Sequence, residues 1–181
     1  QAYFLGGPEQ AVEALNRNLD LQIDDFATFN WKAVVDAVNI LGGVDVELSK
    51  AEFYYINAYI TETVEATGVG SYQLKQAGLN HLDGVQAVAY ARLRKMDTDF
   101  ARTERQREII DLCFQKLKKS DFAVVNNVME AVFPQILSSV TIDDIIPAAR
   151  NLTKYTIADT MGFPAARSDA NMGKKGACVI P

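Results

Sequence analysis

The stretch Tyr90-Ala91-Arg92-Leu93-Arg94-Lys95-Met96-Asp97-Thr98-Asp99-Phe100-Ala101-Arg102-Thr103-Glu104-Arg105-Gln106-Arg107 decides how this chain is read. Six cations fall in these 18 residues, although the whole chain has a formal net charge of −5. As a strand, the first part places Tyr90, Arg92 and Arg94 on one face and Ala91 and Leu93 on the other. Neighbours on one face then stand ~7 Å apart, from a rise of about 3.3 Å per residue. Two guanidinium groups held side by side offer planar forks of donors matched to phosphate oxygens.

From Asp99 onward the spacing predicts a helix, with Asp99 as its N-cap. At about 100° per residue, Ile109, Ile110, Cys113 and Leu117 share one side. Glu104, Arg107, Glu108, Asp111, Gln115, Lys118 and Lys119 gather on the opposite side. Extended backward, the apolar stripe reaches Arg102 and Gln106, with Arg105 near its edge. Burying a guanidinium without a partner costs several kcal/mol, so these residues need an anion or a water-filled pocket. The helix N-terminus adds exposed N–H groups and a partial positive charge, both favourable to phosphate. Two readings stay open: an anion pocket, or a structural network pairing Arg92, Arg94 and Arg102 with carboxylates such as Asp97 and Asp99. Lys95 and Arg107 read as solvated surface.

Outward from this stretch, helices alternate with short strands. Gly6-Gly7-Pro8 leads into a helical pattern through Val12, Leu15 and Leu19. Phe26 to Phe29 reads as a short strand and Trp31 to Leu41 as a helix closed by Gly42-Gly43. Val44 to Leu48 alternates strictly, predicting a strand with one buried face. Ser49 with Glu52 forms a capping box for the next helix, on which Phe53, Tyr54, Tyr55 and Tyr59 lie. Gly68 to Gly78 is a connection, and Leu82-Asp83-Gly84 leads back to the basic stretch. Asp121 to Phe133 and Thr141 to Leu152 read as helices, Tyr155 to Ile157 and Ala177 to Ile180 as short strands, and Gly162 to Gly176 as rich in turn residues. The class is α/β.

With 181 residues, 49% hydrophobic content and 5 prolines, the chain suits one domain. Its acidic balance argues against a nucleic-acid partner, which needs many cations to neutralise phosphates. No apolar run approaches the ~20 residues that span a bilayer. Cys113 and Cys178 belong to no CxxC or Cys/His metal spacing. They read either as two buried thiols or as a disulfide, which requires an oxidising compartment. The lone His81 reads as structural.

Tyr90 to Arg94, the acidic turn and Asp99-Phe-Ala-Arg102-Thr-Glu-Arg105-Gln106 together resemble the signature of the LytR-CpsA-Psr family. Ala2-Tyr3 with Gly6-Gly7, Leu41-Gly42-Gly43-Val44 within Val34 to Val46, and Leu82-Asp83-Gly84 resemble it too. The resemblance implies a mixed central sheet sandwiched between helices, here as the C-terminal two thirds of a single domain over residues 1–181. It implies a hydrophobic groove for a polyprenyl tail and a polar mouth for the diphosphate; Phe53, Tyr54, Tyr55 and Tyr59 read most simply as core and rim, and the resemblance would make them lining of that groove. Arg92, Arg94, Arg102 and Gln106 match the family's diphosphate-binding positions, Arg105 stands among them, and Asp99 matches an acidic position that orients an arginine or assists proton transfer. The implied activity is a phosphotransferase that moves a glycan phosphate from a polyprenyl diphosphate carrier to peptidoglycan. It would work on the extracellular face of a bacterial membrane, with a single-pass anchor and Mg2+ ligands expected upstream of Gln1. Without that upstream part, the alternative is a module that binds polyprenyl diphosphate without turnover. An extracellular location would favour a Cys113–Cys178 disulfide.

Overall fold

A computed structural model describes residues 2–96, 98–158, 160, 168–171, 173 and 177–180. Helix α1 (Ala2–Leu19) is broken at Gly6-Gly7, and Pro8 starts its second segment, where a missing N–H costs nothing. Strand β1 (Ala27–Phe29) precedes α2 (Trp31–Ile40), which Asn30 caps by accepting from the Ala33 amide. At the turn after α2, Gly43 has φ 76°, and a Cβ there would lie 2.6 Å from the Leu82 carbonyl oxygen. Strand β2 (Val44–Leu48) buries Val44, Val46 and Leu48 and exposes Asp45 and Glu47, as its alternation requires. Helix α3 (Lys50–Thr67) starts with the expected Ser49/Glu52 capping box. Strand β3 (Gly78–Leu82) pairs antiparallel with β2, from Val44 opposite Leu82 to Leu48 opposite Gly78.

The next segment departs from expectation. Residues Gly84–Arg92 form a helix, α4, so Tyr90 and Arg92 do not share a strand face and Arg94 lies in the loop beyond. Two residues apart on a helix, Tyr90 and Arg92 point to nearly opposite sides. The physical reason is a capping box: Asp83 accepts from the Gln86 amide, and the Gln86 side chain accepts from the Asp83 amide. Every residue from Gly84 to Tyr90 is buried, and a segment buried all round has no period to separate helix from strand. Gly84 permits this burial, since a Cβ there would sit 2.1 Å from the Val35 carbonyl oxygen. Its amide donates to Asn39 Oδ1 at 2.7 Å, locking α4 to α2.

Helix α5 (Asp99–Lys119) is capped by Thr98, whose hydroxyl accepts from the Ala101 amide, and not by Asp99. Asp121 caps α6 (Phe122–Val132), and a 3-10 turn (Phe133–Gln135) leads into β4 (Ile136–Ser138), which pairs antiparallel with β1. Helix α7 (Ile142–Arg150) carries a Thr141/Asp144 capping box and ends near a second 3-10 turn (Leu152–Lys154). Tyr155 to Ile157, expected as a strand, is irregular; the Tyr155 carbonyl accepts from Lys118 Nζ at 2.6 Å instead of joining a ladder. Strands β5 (Ser168–Asn171) and β6 (Ala177–Ile180) form a hairpin-like antiparallel pair, with β6 where a terminal strand was expected.

The α/β class is as expected, with the described strands arranged in two-stranded antiparallel sheets among dominant helices. One core holds the molecule together: Val35 and Val38 from α2, the inner face of β2, Ile56, Tyr59 and Ile60 from α3, most of α4, and Ile109 from α5. Helix α4 is its centre, packed against α2, α3, α5 and β3.

Candidate functional site

The turn from α4 into α5 gathers the basic residues at one corner of the fold. Arg92 closes α4. Its Nη1 donates to Thr63 Oγ1 at 2.7 Å and its Nη2 to Glu62 Oε2 at 3.2 Å. The guanidinium lies 3.8 Å from the Trp31 ring centroid and 5.7 Å from that of Tyr59. Thr63 is wholly buried on the α3 stripe of Ile56, Tyr59 and Ile60, and its hydroxyl donates in turn to the Tyr59 carbonyl. An arginine held by an aromatic face and two edge acceptors is fixed in direction, with further N–H donors left for an anion.

Arg105, read as lying at the edge of the α5 stripe, is instead buried within it at 5% exposure. Its Nη2 donates to the Leu93 carbonyl at 2.8 Å, and its Nη1 reaches Glu52 Oε1 at 3.4 Å. Gln106, expected on the buried stripe, is exposed, and its Nε2 donates to the Ala91 carbonyl at 3.4 Å. These carbonyls belong to the end of α4, where no intrahelical donor remains, so Arg105 and Gln106 close that helix. The inward side of α5 runs through Arg105, Ile109, Leu112 and Cys113, whereas Ile110 is 59% exposed. The stripe is thus rotated by about one position from its expected phase, because Arg105 follows its acceptors inward.

Arg102 is half-buried one turn earlier, with its Nε shielded from solvent, and Arg94 is exposed in the loop. Asp99 opens α5, but its side chain, like the whole of Asp97, lies outside the described residues. Behind the corner, the Tyr90 hydroxyl donates to Glu108 Oε2 at 2.8 Å. Burial first, then the Glu108 carboxylate, pushes the Tyr90 phenol far above its ordinary range, so it stays a neutral donor. Sequence reading missed Trp31, Glu62 and Thr63 as partners of Arg92, and Glu52 as partner of Arg105. A signal existed for Thr63, a polar residue at helical spacing within an apolar stripe.

An apolar cavity of about 800 Å³ opens between the end of α5, α6 and α7. Leu117, Phe122, Val125, Met129, Phe133 and Ile146 line it. No residue of α6 is fully buried, although that helix is predominantly apolar. The α3 aromatics take core and rim places, as read from the sequence. Tyr59 is in the core, Phe53 and Tyr55 pack against it, and Tyr54 is 78% exposed with its ring edge-on to Tyr55. They follow the α3 stripe, which faces α4.

Among the described residues, no three His, Cys, Asp or Glu side chains converge as metal ligands. The described side chains alone therefore do not fit Mg2+. His81 Nδ1 lies 2.7 Å from Asp45 Oδ1 in a cross-strand pair, the structural role expected of it. Cys113 is half-buried, which raises its thiol pKa; the Cys178 side chain lies outside the described residues. No described helix is long and apolar enough to cross a membrane.

The sequence is similar to polyisoprenyl-teichoic acid–peptidoglycan teichoic acid transferase TagV of Bacillus subtilis, with 27% identity over 175 residues, 95% of this chain and 42% of TagV. Its fold is similar to that of protein gbs0355 from Streptococcus agalactiae, with a TM-score of 0.76 and 26% identity, covering 99% of this chain and 59% of that one. The structure of TagT bound to LIIa-WTA gives a TM-score of 0.63 and 27% identity over 84% of this chain and 54% of TagT. The chain spans between 35% and 45% of the length of the curated relatives it matches. The LytR_cpsA_psr family profile matches residues 1–171, and with nearly the whole sequence under that match, the chain belongs to the LytR_cpsA_psr family.

Proposed function

We propose that this chain carries the part of a cell-wall glycopolymer transferase that grips a polyprenyl diphosphate headgroup and holds its lipid tail. The observation that carries the reading is Arg92 at the end of α4, a cation stacked on Trp31 and tied by Thr63 and Glu62. The family membership and the substrate named for TagV support it. In this reading Arg92, Arg94 and Arg102 bind the diphosphate, while Arg105 and Gln106 hold the corner that positions them. The cavity between α5, α6 and α7 takes polyprenyl chain. By the 1.5 Å rise of a helix, Arg102 and Leu117 stand roughly 22 Å apart along α5, a span that a long prenyl chain covers.

The reaction is attack by a peptidoglycan sugar hydroxyl on the phosphorus nearer the glycan. The hydroxyl loses its proton to a base, a role open to Asp99. The bond from that phosphorus to the bridging oxygen breaks, polyprenyl phosphate leaves, and a phosphodiester joins glycan to wall. Phosphoryl transfer depends mainly on positioning and on cations at the equatorial oxygens, which is what fixed guanidinium groups supply. Mg2+, which would add positive charge at those oxygens, needs ligands beyond the described residues. Peptidoglycan as acceptor places the work on the outer face of a bacterial membrane, with the chain tethered there by an anchor.

Native mass spectrometry with a polyprenyl diphosphate in detergent tests the grip. One lipid per chain is expected, and Arg92→Ala and Arg102→Ala should each weaken binding by about tenfold or more, the worth of a charge-assisted hydrogen bond. Unchanged binding in both variants would remove these arginines from the site. A second reading is binding without turnover. Lipid binding without glycan transfer by the full-length protein would select it.

A further inference from the structure

The rim of the α5–α6–α7 cavity reverses the charge of the rest of the molecule. Lys118 and Arg150 line it, Lys119 and Lys154 stand exposed beside them, and all four belong to a chain of net charge −5. Phe122, the first residue of α6, lies on the same rim with 83% of its surface exposed. The Lys118 ammonium donates to the Tyr155 carbonyl at 2.6 Å, bringing a second aromatic, 52% exposed, to the same edge. Two carboxylates share this edge and keep their charge, Glu130 lining the cavity and Asp121 capping α6, so the four cations leave an excess of two.

A single exposed phenylalanine means little. Here it stands at the mouth of an apolar cavity, flanked by a second aromatic and four cations. Apolar rings that enter the headgroup layer while Lys and Arg lie over lipid phosphates are the physics of interfacial membrane binding. Charge complementarity selects the partner, because an excess of cations around an apolar mouth fits an anionic surface that is itself apolar underneath. We propose that this rim seats on an anionic lipid bilayer, with Phe122 and Tyr155 in the headgroup layer. The proposal extends the lipid reading above, since a prenyl chain could then pass from bilayer to cavity without crossing water.

Flotation of the full chain with vesicles of phosphatidylcholine alone, or with about three parts in ten phosphatidylglycerol, tests it. Binding is expected only to the anionic vesicles, and should vanish at roughly 1 M salt, where the screening length falls to about 3 Å. At about fivefold per lysine, K118E/K119E should weaken binding roughly thirtyfold or more, and Phe122→Ser should weaken it at unchanged charge. Circular dichroism shows that the variants fold. Arg92→Ala, at the other end of α5, should float like the unaltered chain. Equal binding to neutral and anionic vesicles, or indifference to K118E/K119E and Phe122→Ser, overturns the proposal. So does a dimer in sedimentation that those same substitutions dissolve, which would assign the rim to a second copy of the chain. Loss of vesicle binding with polyprenyl diphosphate still bound in detergent strikes only the rim. The converse strikes only the diphosphate grip.

Discussion

Two parts of this molecule spend their apolar residues differently. In the unit built from α2, β2, α3, β3 and α4, the large side chains are buried outright: Val35, Val38, Leu48, Ile56 and Leu82 are all within 2% of complete burial. In α6, apolar sequence reaches no such state, since the helix contains no fully buried residue, and neither do the described side chains of α7. The first unit gains its stability from closure, with α4 surrounded on all sides. The second keeps a cavity open, forgoing about 25 cal/mol for each Å² of apolar surface left in water. In the proposed reading, the closed block fixes the arginine corner and the looser helices keep room for the lipid tail.

The largest test of the rigid part is Glu52→Ala. Glu52 closes the α3 capping box and also faces the buried Arg105, so its removal takes a carboxylate away from a guanidinium at 5% exposure. A loss of about 3–5 kcal/mol is expected by urea denaturation, the usual result of breaking a buried ion pair from one side. A loss below about 1 kcal/mol would mean that Leu93 and other neighbours suffice for Arg105.

A paired substitution measures the contrast directly. Ile56→Ala, in the closed core, should cost about 2–5 kcal/mol. Met129→Ala, on the cavity wall, should cost about 1 kcal/mol or less, because a half-exposed side chain forfeits only part of its transfer energy. Equal costs would show the α6 region to be as tightly closed as the core.

The same contrast explains what the sequence disclosed. One-sided burial was readable: β2 alternates because only Val44, Val46 and Leu48 face inward, and the Ser49/Glu52 box announced α3. Total burial was not. From Gly84 to Tyr90 every side is covered, so periodicity was silent and the Arg92/Arg94 pair was assigned to a strand. The Asp83-x-x-Gln86 spacing was the decisive local signal. At the site, the identity of the basic residues was legible because six cations in an acidic chain are conspicuous. Their division of labour was not, since Arg105 turns inward for acceptors, Leu93 and Glu52 among them, that only the tertiary fold brings near. Trp31 and Thr63 reach Arg92 from distant segments in the same way.

A smaller effect should mark the seam between the two parts. Asp36 on α2 accepts from Lys32 at 2.6 Å and from Gln135, just beyond α6, at 2.7 Å. Burial alone would raise its pKa, but the bonds from Lys32 and Gln135 outweigh it, and the carboxyl sits below its ordinary value. A carboxyl lowered in the folded state adds stability that is present above the unfolded pKa and lost as pH falls through the folded one. The contribution should therefore be present at neutral pH and fade below about pH 4, the ordinary range of Asp. Asp36→Asn should remove it, costing about 1 kcal/mol or less at pH 7 and nothing once the pH is low enough to protonate the parent carboxyl. Amide exchange separates local from global effects: in Asp36→Asn, α6 should exchange faster while α4 keeps its protection. Faster exchange in α4 to the same degree would mean that the seam does not exist and that both parts unfold as one.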